Sequence, residues 1–181
     1  MKAAPSDSQA ISKPPYSAIA VANFFIELAN KSEKSDLTPM KLQKLIYYAN
    51  GWHLALTGIP LIEEDVEAWK FGPVIESIYK EFKRYGNEPV TDPVIEDDDT
   101  LGDGDNGPIF TTVAVNSEAA KLLNKIWEIY GKYTAIQLSN ATHEPGSPWA
   151  VIWDKRGKYC PGVVIPKKLI KAHFESLKVK K

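Results

Sequence analysis

The sequence predicts a mainly α-helical fold: a single compact domain of about six helices, with room for one small β element of two or three strands. Three features carry that expectation. Apolar residues recur at three- and four-residue intervals over most of the chain. Serine or threonine caps, several followed by proline, mark helix starts, and glycines mark the stops. Only two short stretches, Asp65–Lys70 and Ile109–Val115, read as extended.

Residues 1–16 read as a flexible leader, since Pro5, Pro14, Pro15 and scattered serines leave little apolar content there. Ser17 is placed to cap a first helix over about Ala18–Ser32, with Ile19, Ala22, Phe25, Ile26 and Ala29 at helical spacing. The second helix carries the clearest signals. Thr38 is its expected N-cap and Pro39 its first residue, Leu37 and Leu42 form a hydrophobic staple, and Gly58 supplies a left-handed stop. At ~100° per residue, Leu42, Leu45, Ile46, Ala49, His53 and Leu56 share one side, and Met40, Tyr47 and Leu54 share another. A helix apolar on two sides belongs at the centre, packed between others.

A third helix is expected from Gly72-Pro73, with Pro73 in its first turn, Val74, Ile75, Ile78, Tyr79 and Phe82 as its stripe, and Gly86 as its stop. Asp65–Lys70, just before it, fits a short strand or an extended lead-in. Residues 87–108 read as a solvated, mobile loop. Asp92, Glu96, Asp97, Asp98, Asp99, Asp103 and Asp105 stand there among prolines and glycines, with no basic residue. Ile109–Val115 follows as a brief strand. Asn116 reads as the cap of a fourth helix carrying Leu122, Leu123, Ile126, Ile129 and Tyr130, and Gly131 stops it. Thr134 and Gln137 suit a capping box for a fifth helix, with Tyr133 and Leu138 as its staple. Ser147-Pro148 opens a helical turn through Trp149 to Trp153. Pro166 starts the last helix, with Leu169, Ile170, Phe174 and Leu177 inward and Lys167, Lys168, Lys171 and Lys178 on the other face.

At 181 residues the chain suffices for one well-buried core and is short for two. Its 22 basic and 23 acidic residues nearly cancel, so no general charge draws it to nucleic acid or to anionic membranes. The lone cysteine, Cys160, excludes an intrachain disulfide framework and fits a reducing compartment. Ala18–Leu28 follows Lys2 and Lys13 as a signal-peptide core would. Asn23 and Glu27 interrupt that run, no small-x-small cleavage site follows, and it falls short of the ~20 apolar residues of a membrane span. A cytoplasmic protein without a membrane partner is the expectation.

No catalytic, cofactor-binding or metal-binding set is legible. There is no GxxxxGK[ST] phosphate loop and no GxSxG elbow. His143-Glu144-Pro145-Gly146-Ser147 puts Ser147 where a zinc-protease helix needs its second histidine, and Pro145 breaks the helix. The acidic stretch fails as a calcium loop. Counted from Asp97, its fifth position is Leu101 and its twelfth Pro108. His53, His143, His173 and Cys160 could still meet in space as metal ligands or as a nucleophile pair. His53 and His173, however, sit on apolar helix faces where core histidines are usual, and nothing near Cys160 would lower its pKa. The basic tail (Lys167, Lys168, Lys171, Lys178, Lys180, Lys181) lacks interleaved aromatics and a helix-turn-helix. Nucleic acid is not supported as a partner, and the charge suits the end of a helix dipole.

Three stretches, in order, carry a family resemblance. They are Leu37-Thr38-Pro39-Met40-Lys41-Leu42-Gln43-Lys44-Leu45-Ile46-Tyr47-Tyr48-Ala49, Glu67-Ala68-Trp69-Lys70-Phe71-Gly72-Pro73-Val74, and Thr142-His143-Glu144-Pro145-Gly146-Ser147-Pro148-Trp149. Together they resemble the SocA-like, or Panacea, antitoxin domain, also found in phage-associated proteins of the GepA type. The resemblance assigns residues 17–181 to that domain. It implies a non-enzymatic antitoxin that neutralises a cognate protein toxin by direct contact. SocA-type members imply a further role as a proteolytic adaptor, with a protease or unfoldase as second partner. An enzyme with a scattered active site is the rival from another class. The chain shows no added DNA-binding domain before the core, so autoregulation through DNA is not expected.

Eight residues are candidates for partner contact. Trp69, Phe71, His143 and Trp149 lie in the motifs, and for the aromatics packing inward is the competing account. Lys44, Tyr48, Gly51 and Ala55 share a face of the second helix, where small residues would admit another helix. Gly51 costs about 1 kcal/mol against alanine inside a helix, so something must offset it. An internal helix accounts for that as well as a toxin does.

Overall fold

The computed structural model describes residues 9–11, 13–32, 35–95, 111–114, 117–157 and 162–178. Its first element, strand β1 (Gln9–Ile11), falls within the stretch read as leader. Tyr16 is already buried and its backbone is bonded to Leu61 and Glu63. Helix α1 (Ala18–Asn30) starts where Ser17 Oγ accepts the Ala20 amide. The Glu64 carboxylate accepts the Ala18 amide with both oxygens at 2.9 Å, a negative charge at the positive end of the helix. Asn23, which interrupts the apolar run, is fully buried. Its side chain takes the Val94 amide and the carbonyls of Val94 and Thr111, so no polar atom is stranded.

Helix α2 (Pro39–Thr57) keeps its expected cap, staple and stop, although Leu56 and Met40, placed on its apolar sides, are 60% and 37% exposed. Thr38 Oγ1 accepts the Lys41 amide, Pro39 opens the helix, Leu37 and Leu42 are fully buried, and Gly58 stops it at φ +77°. Strands β2 (Glu67–Trp69) and β3 (Gly72–Val74) form an antiparallel hairpin with Trp69 opposite Gly72. The third helix therefore does not begin at Gly72-Pro73. Gly72 sits at φ +106°, outside the right-handed helical region, and Pro73 lies on an edge strand, where its missing N–H is tolerated. Helix α3 (Glu76–Phe82) starts after Ile75 and runs through a tight turn (Lys83–Tyr85) to Gly86. Gln43 fixes that start, donating to the Ile75 carbonyl and accepting its amide at 3.0 and 2.9 Å.

The first part of the expected acidic loop is pinned. Val90 is fully buried and its amide bonds the Leu37 carbonyl, Asn30 bonds the Thr91 carbonyl, and Asn23 holds Val94. Residues 96–108 lie outside the described residues. Strand β4 (Thr111–Val113) runs parallel to β1, Gln9 opposite Thr111.

Helix α4 (Glu118–Tyr130) is capped by Ser117, whose hydroxyl reaches the Ala120 amide at 3.0 Å; Asn116, the expected cap, lies outside the described residues. Helix α5 (Ala135–Thr142) has the Thr134–Gln137 capping box. Ser147 caps the short α6 (Pro148–Ile152), which widens into a π-type turn (Trp153–Gly157). Strand β5 (Val163–Val164) adds to the free edge of β2, and α7 (Lys167–Lys178) ends the described chain. The domain is mainly α, with seven α-helices among the described residues. Helix α2 packs against α1, α3, α4, α5 and α7 and forms the centre of one core. No helix among the described residues is long and apolar enough to cross a membrane.

Candidate partner-binding site

The β2–β3 hairpin turns on Lys70 and Phe71, between the paired residues Trp69 and Gly72. Its backbone is held from behind. The Trp69 carbonyl accepts the Trp149 indole N–H at 2.7 Å, the Phe71 carbonyl accepts the Ser139 hydroxyl at 3.0 Å, and the Pro73 carbonyl accepts Lys44 Nζ at 3.0 Å. Gly72 is required there twice over. Its positive φ disfavours any side chain, and a Cβ would stand 2.6 Å from Lys44 Nζ and 2.8 Å from Thr142 Oγ1. The front of the hairpin is open. Phe71 is 60% exposed, with the Lys70 ammonium 5.4 Å from its ring centre. Trp69 is half-buried, gives its indole N–H to Glu67 Oε2, and leans on Tyr79 with ring centres 4.9 Å apart.

Beside the hairpin, between the start of α2 and α3, lies a cavity of about 470 Å³. Met40, Phe71, Val74, Ile78 and Tyr79 give it apolar walls. Lys44 lines its buried side, and Lys70 and Lys83 line its exposed side. Lys44 is 1% exposed. Burial pulls its ammonium down from the ordinary 10.5 to about 7. Lys41, one turn earlier, is buried as deeply but reaches Asp36 Oδ1 at 2.5 Å and the Gly131 carbonyl at 2.6 Å.

The sequence candidates divide into two groups. Lys44, Tyr48, Gly51 and Ala55 are all buried. Tyr48, Gly51 and Ala55 pack against α4 and α7 of the chain itself, whereas Lys44 lines the cavity. An added Cβ on Gly51 would meet the Phe174 ring of α7 at 2.2 Å. Tyr48 stacks on Tyr130 with ring centres 4.4 Å apart, and Ala55 is capped by Lys178, which donates to its carbonyl. Burial, and then the neighbouring Tyr130 and Glu144, push the Tyr48 phenol well above its ordinary value.

Trp69 and Phe71 are brought to the cavity, whereas His143 and Trp149 stand behind the hairpin. The His143 ring lies on Trp149 (3.9 Å, 34°), and Trp149 stacks on Trp153 at 5.3 Å. His143 Nε2 is buried without a hydrogen-bond partner among the described residues. Burial, and then the charge of Lys44, hold its pKa below the usual 6.5. His53 Nδ1 lies 2.7 Å from the Ile59 carbonyl, and His173 packs edge-on against Phe174. Cys160 lies outside the described residues, among which no group of three His, Cys, Asp or Glu side chains could hold a metal ion.

Sequence reasoning missed Met40, Lys70, Tyr79 and Lys83. Met40 and Tyr79 count as stripe residues by periodicity, yet they are 37% and 44% exposed. Lys70 was within reach, because it sits inside the quoted hairpin motif.

Comparison with known proteins follows the same residues. The family model described as "Antitoxin SocA-like, Panacea domain" matches residues 42–150, which include most of α2, the hairpin, α3 and α5. "Antitoxin SocA" of Caulobacter vibrioides (strain NA1000 / CB15N) is 31% identical over 161 residues, covering 88% of this chain and 83% of that protein. No solved structure matches.

Proposed function

This chain belongs to the SocA-like, Panacea-domain antitoxin family, and on that premise we propose that it neutralises a protein toxin by direct binding, through the face formed by the β2–β3 hairpin and its cavity. The observation that carries the choice of face is Phe71, a large apolar side chain 60% exposed on a backbone bonded from behind by Trp149, Ser139 and Lys44. Met40 and Tyr79 extend the exposed apolar surface beside it. Exposed apolar side chains grouped in this way support an interaction face, and a pre-ordered contact lowers the entropic cost of binding.

Binding by contact is stoichiometric. Titrating purified toxin should require at least one chain per toxin for full neutralisation. Phe71→Ala should weaken binding by about 2–4 kcal/mol, the range of an interface hot spot, and leave the melting temperature unchanged. Complete inactivation by a small fraction of an equivalent, with no protease present, would mean a catalytic modification and would overturn this reading.

A further inference from the structure

We propose that the cavity beside the hairpin receives an acidic, apolar segment of the protein partner: an Asp or Glu next to an aliphatic or aromatic residue, its carboxylate directed at Lys44. The proposal rests on the antitoxin reading and adds the chemistry of what is bound.

Three lysines, Lys44, Lys70 and Lys83, line the cavity, and no Asp or Glu does. This is a local excess in a chain whose charges sum to −1. Neighbouring surface cations are paired, Lys80 with Glu76 and Arg84 with Glu81, but among the described residues no carboxylate pairs with any of the three cavity lysines. Lys44 is the decisive one. A buried amine whose hydrogen bond goes to a backbone carbonyl has no carboxylate to compensate its charge, so the charged form is costly in a low-dielectric setting. Lys41 shows how the same helix satisfies a buried lysine when a carboxylate is within reach. A carboxylate brought by a partner would give Lys44 the same partner type, while Met40, Phe71 and Tyr79 would cover the adjoining apolar side chain. Opposite charges across such an interface set specificity and encounter rate.

The site also predicts proton uptake. Lys44 titrates near 7, so a bound carboxylate draws a proton onto it. The other titratable groups near it are Tyr48 one turn on along its own helix, Lys70, Tyr79 and Lys83 on the cavity, and His143, while Glu144 acts on Tyr48. None of these is a carboxylate facing the cavity.

The test uses the full-length chain with the protein that co-purifies with it from its native host. The complex is treated with a zero-length carbodiimide, which joins a carboxylate to an adjacent lysine amine. Cross-links from Lys70 or Lys83 to an Asp or Glu of the partner are expected. Lys70→Glu and Lys83→Glu should each weaken binding about tenfold at low salt, and Lys44→Met about thirtyfold or more. Replacing the cross-linked partner carboxylate by lysine should restore affinity to Lys70→Glu. Calorimetry at pH ~7.5 in buffers of different ionisation enthalpy should read proton uptake that Lys44→Met loses. The inference is overturned if the Lys70→Glu/Lys83→Glu double variant binds as tightly as the parent and the cross-links lie elsewhere. That outcome leaves the antitoxin reading intact. A partner whose toxicity the chain does not neutralise removes that reading instead.

Discussion

At the scale of single residues, the centre of α2 explains itself only through its neighbours. Gly51 is unfavourable for helix formation, and the Phe174 ring is the reason it is there. Gly51→Ala regains about 1 kcal/mol of helix propensity but forces a Cβ into a ring enclosed by Tyr47, Tyr48 and Trp52. Overpacking at such a site costs about 1–3 kcal/mol, so denaturant unfolding should show a net loss of stability. Lys44 sets a pH dependence. Its folded pKa lies below its unfolded 10.5, so the unfolded chain binds more protons between about 7 and 10.5 and stability rises with pH across that window. The depressed His143 acts in the same direction, with stability lost as pH falls through 6.5. Above pH 10 the sign reverses, because burial keeps Tyr47 and Tyr48 protonated only in the fold. Melting temperature should therefore climb from neutral pH toward about pH 10 and then fall, and Lys44→Met should flatten the climb.

At the scale of elements, what the sequence made legible depended on whether the signal was local. The caps Ser17, Thr38, Thr134 and Ser147 and the stop at Gly58 are decided within one helical turn, and all are found. Pro73 misled because a proline that suits a helix start equally suits an edge strand. The choice was made by Gln43 bonding Ile75 and by Lys44 bonding Pro73, contacts from 32 and 29 residues away. The acidic segment was legible as polar, but its attachment through Asn23 to Val94 was not. That attachment refines what can be removed. Replacing residues 96–106 with a short Gly/Ser linker should change stability by about 1 kcal/mol or less. Starting the replacement at Asp92 removes Val94 and leaves the buried Asn23 amide short of partners, at a cost of about 1–3 kcal/mol. Chemical denaturation of the two variants separates these effects.

At the scale of the whole molecule, a helix apolar on two sides correctly announced a central α2, and the family's three motifs converge because α2, the hairpin and the α5–α6 turn touch. The candidate face was only half legible. Phe71 and Trp69 were named from their motif, but the cavity is assembled from side chains whose exposure depends on how α3 leans on α2. The parallel pairing of β1 with β4 was invisible for a plainer reason: three residues in each strand carry too little pattern. That pairing has a consequence for biosynthesis. Thr111 is made roughly a hundred residues after Gln9, and at translation rates of ~5–20 residues per second the nascent β1 waits about 5–20 seconds for its partner. Pairing through β4 therefore cannot form in the nascent chain until that interval has passed and β4 has emerged from the ribosome.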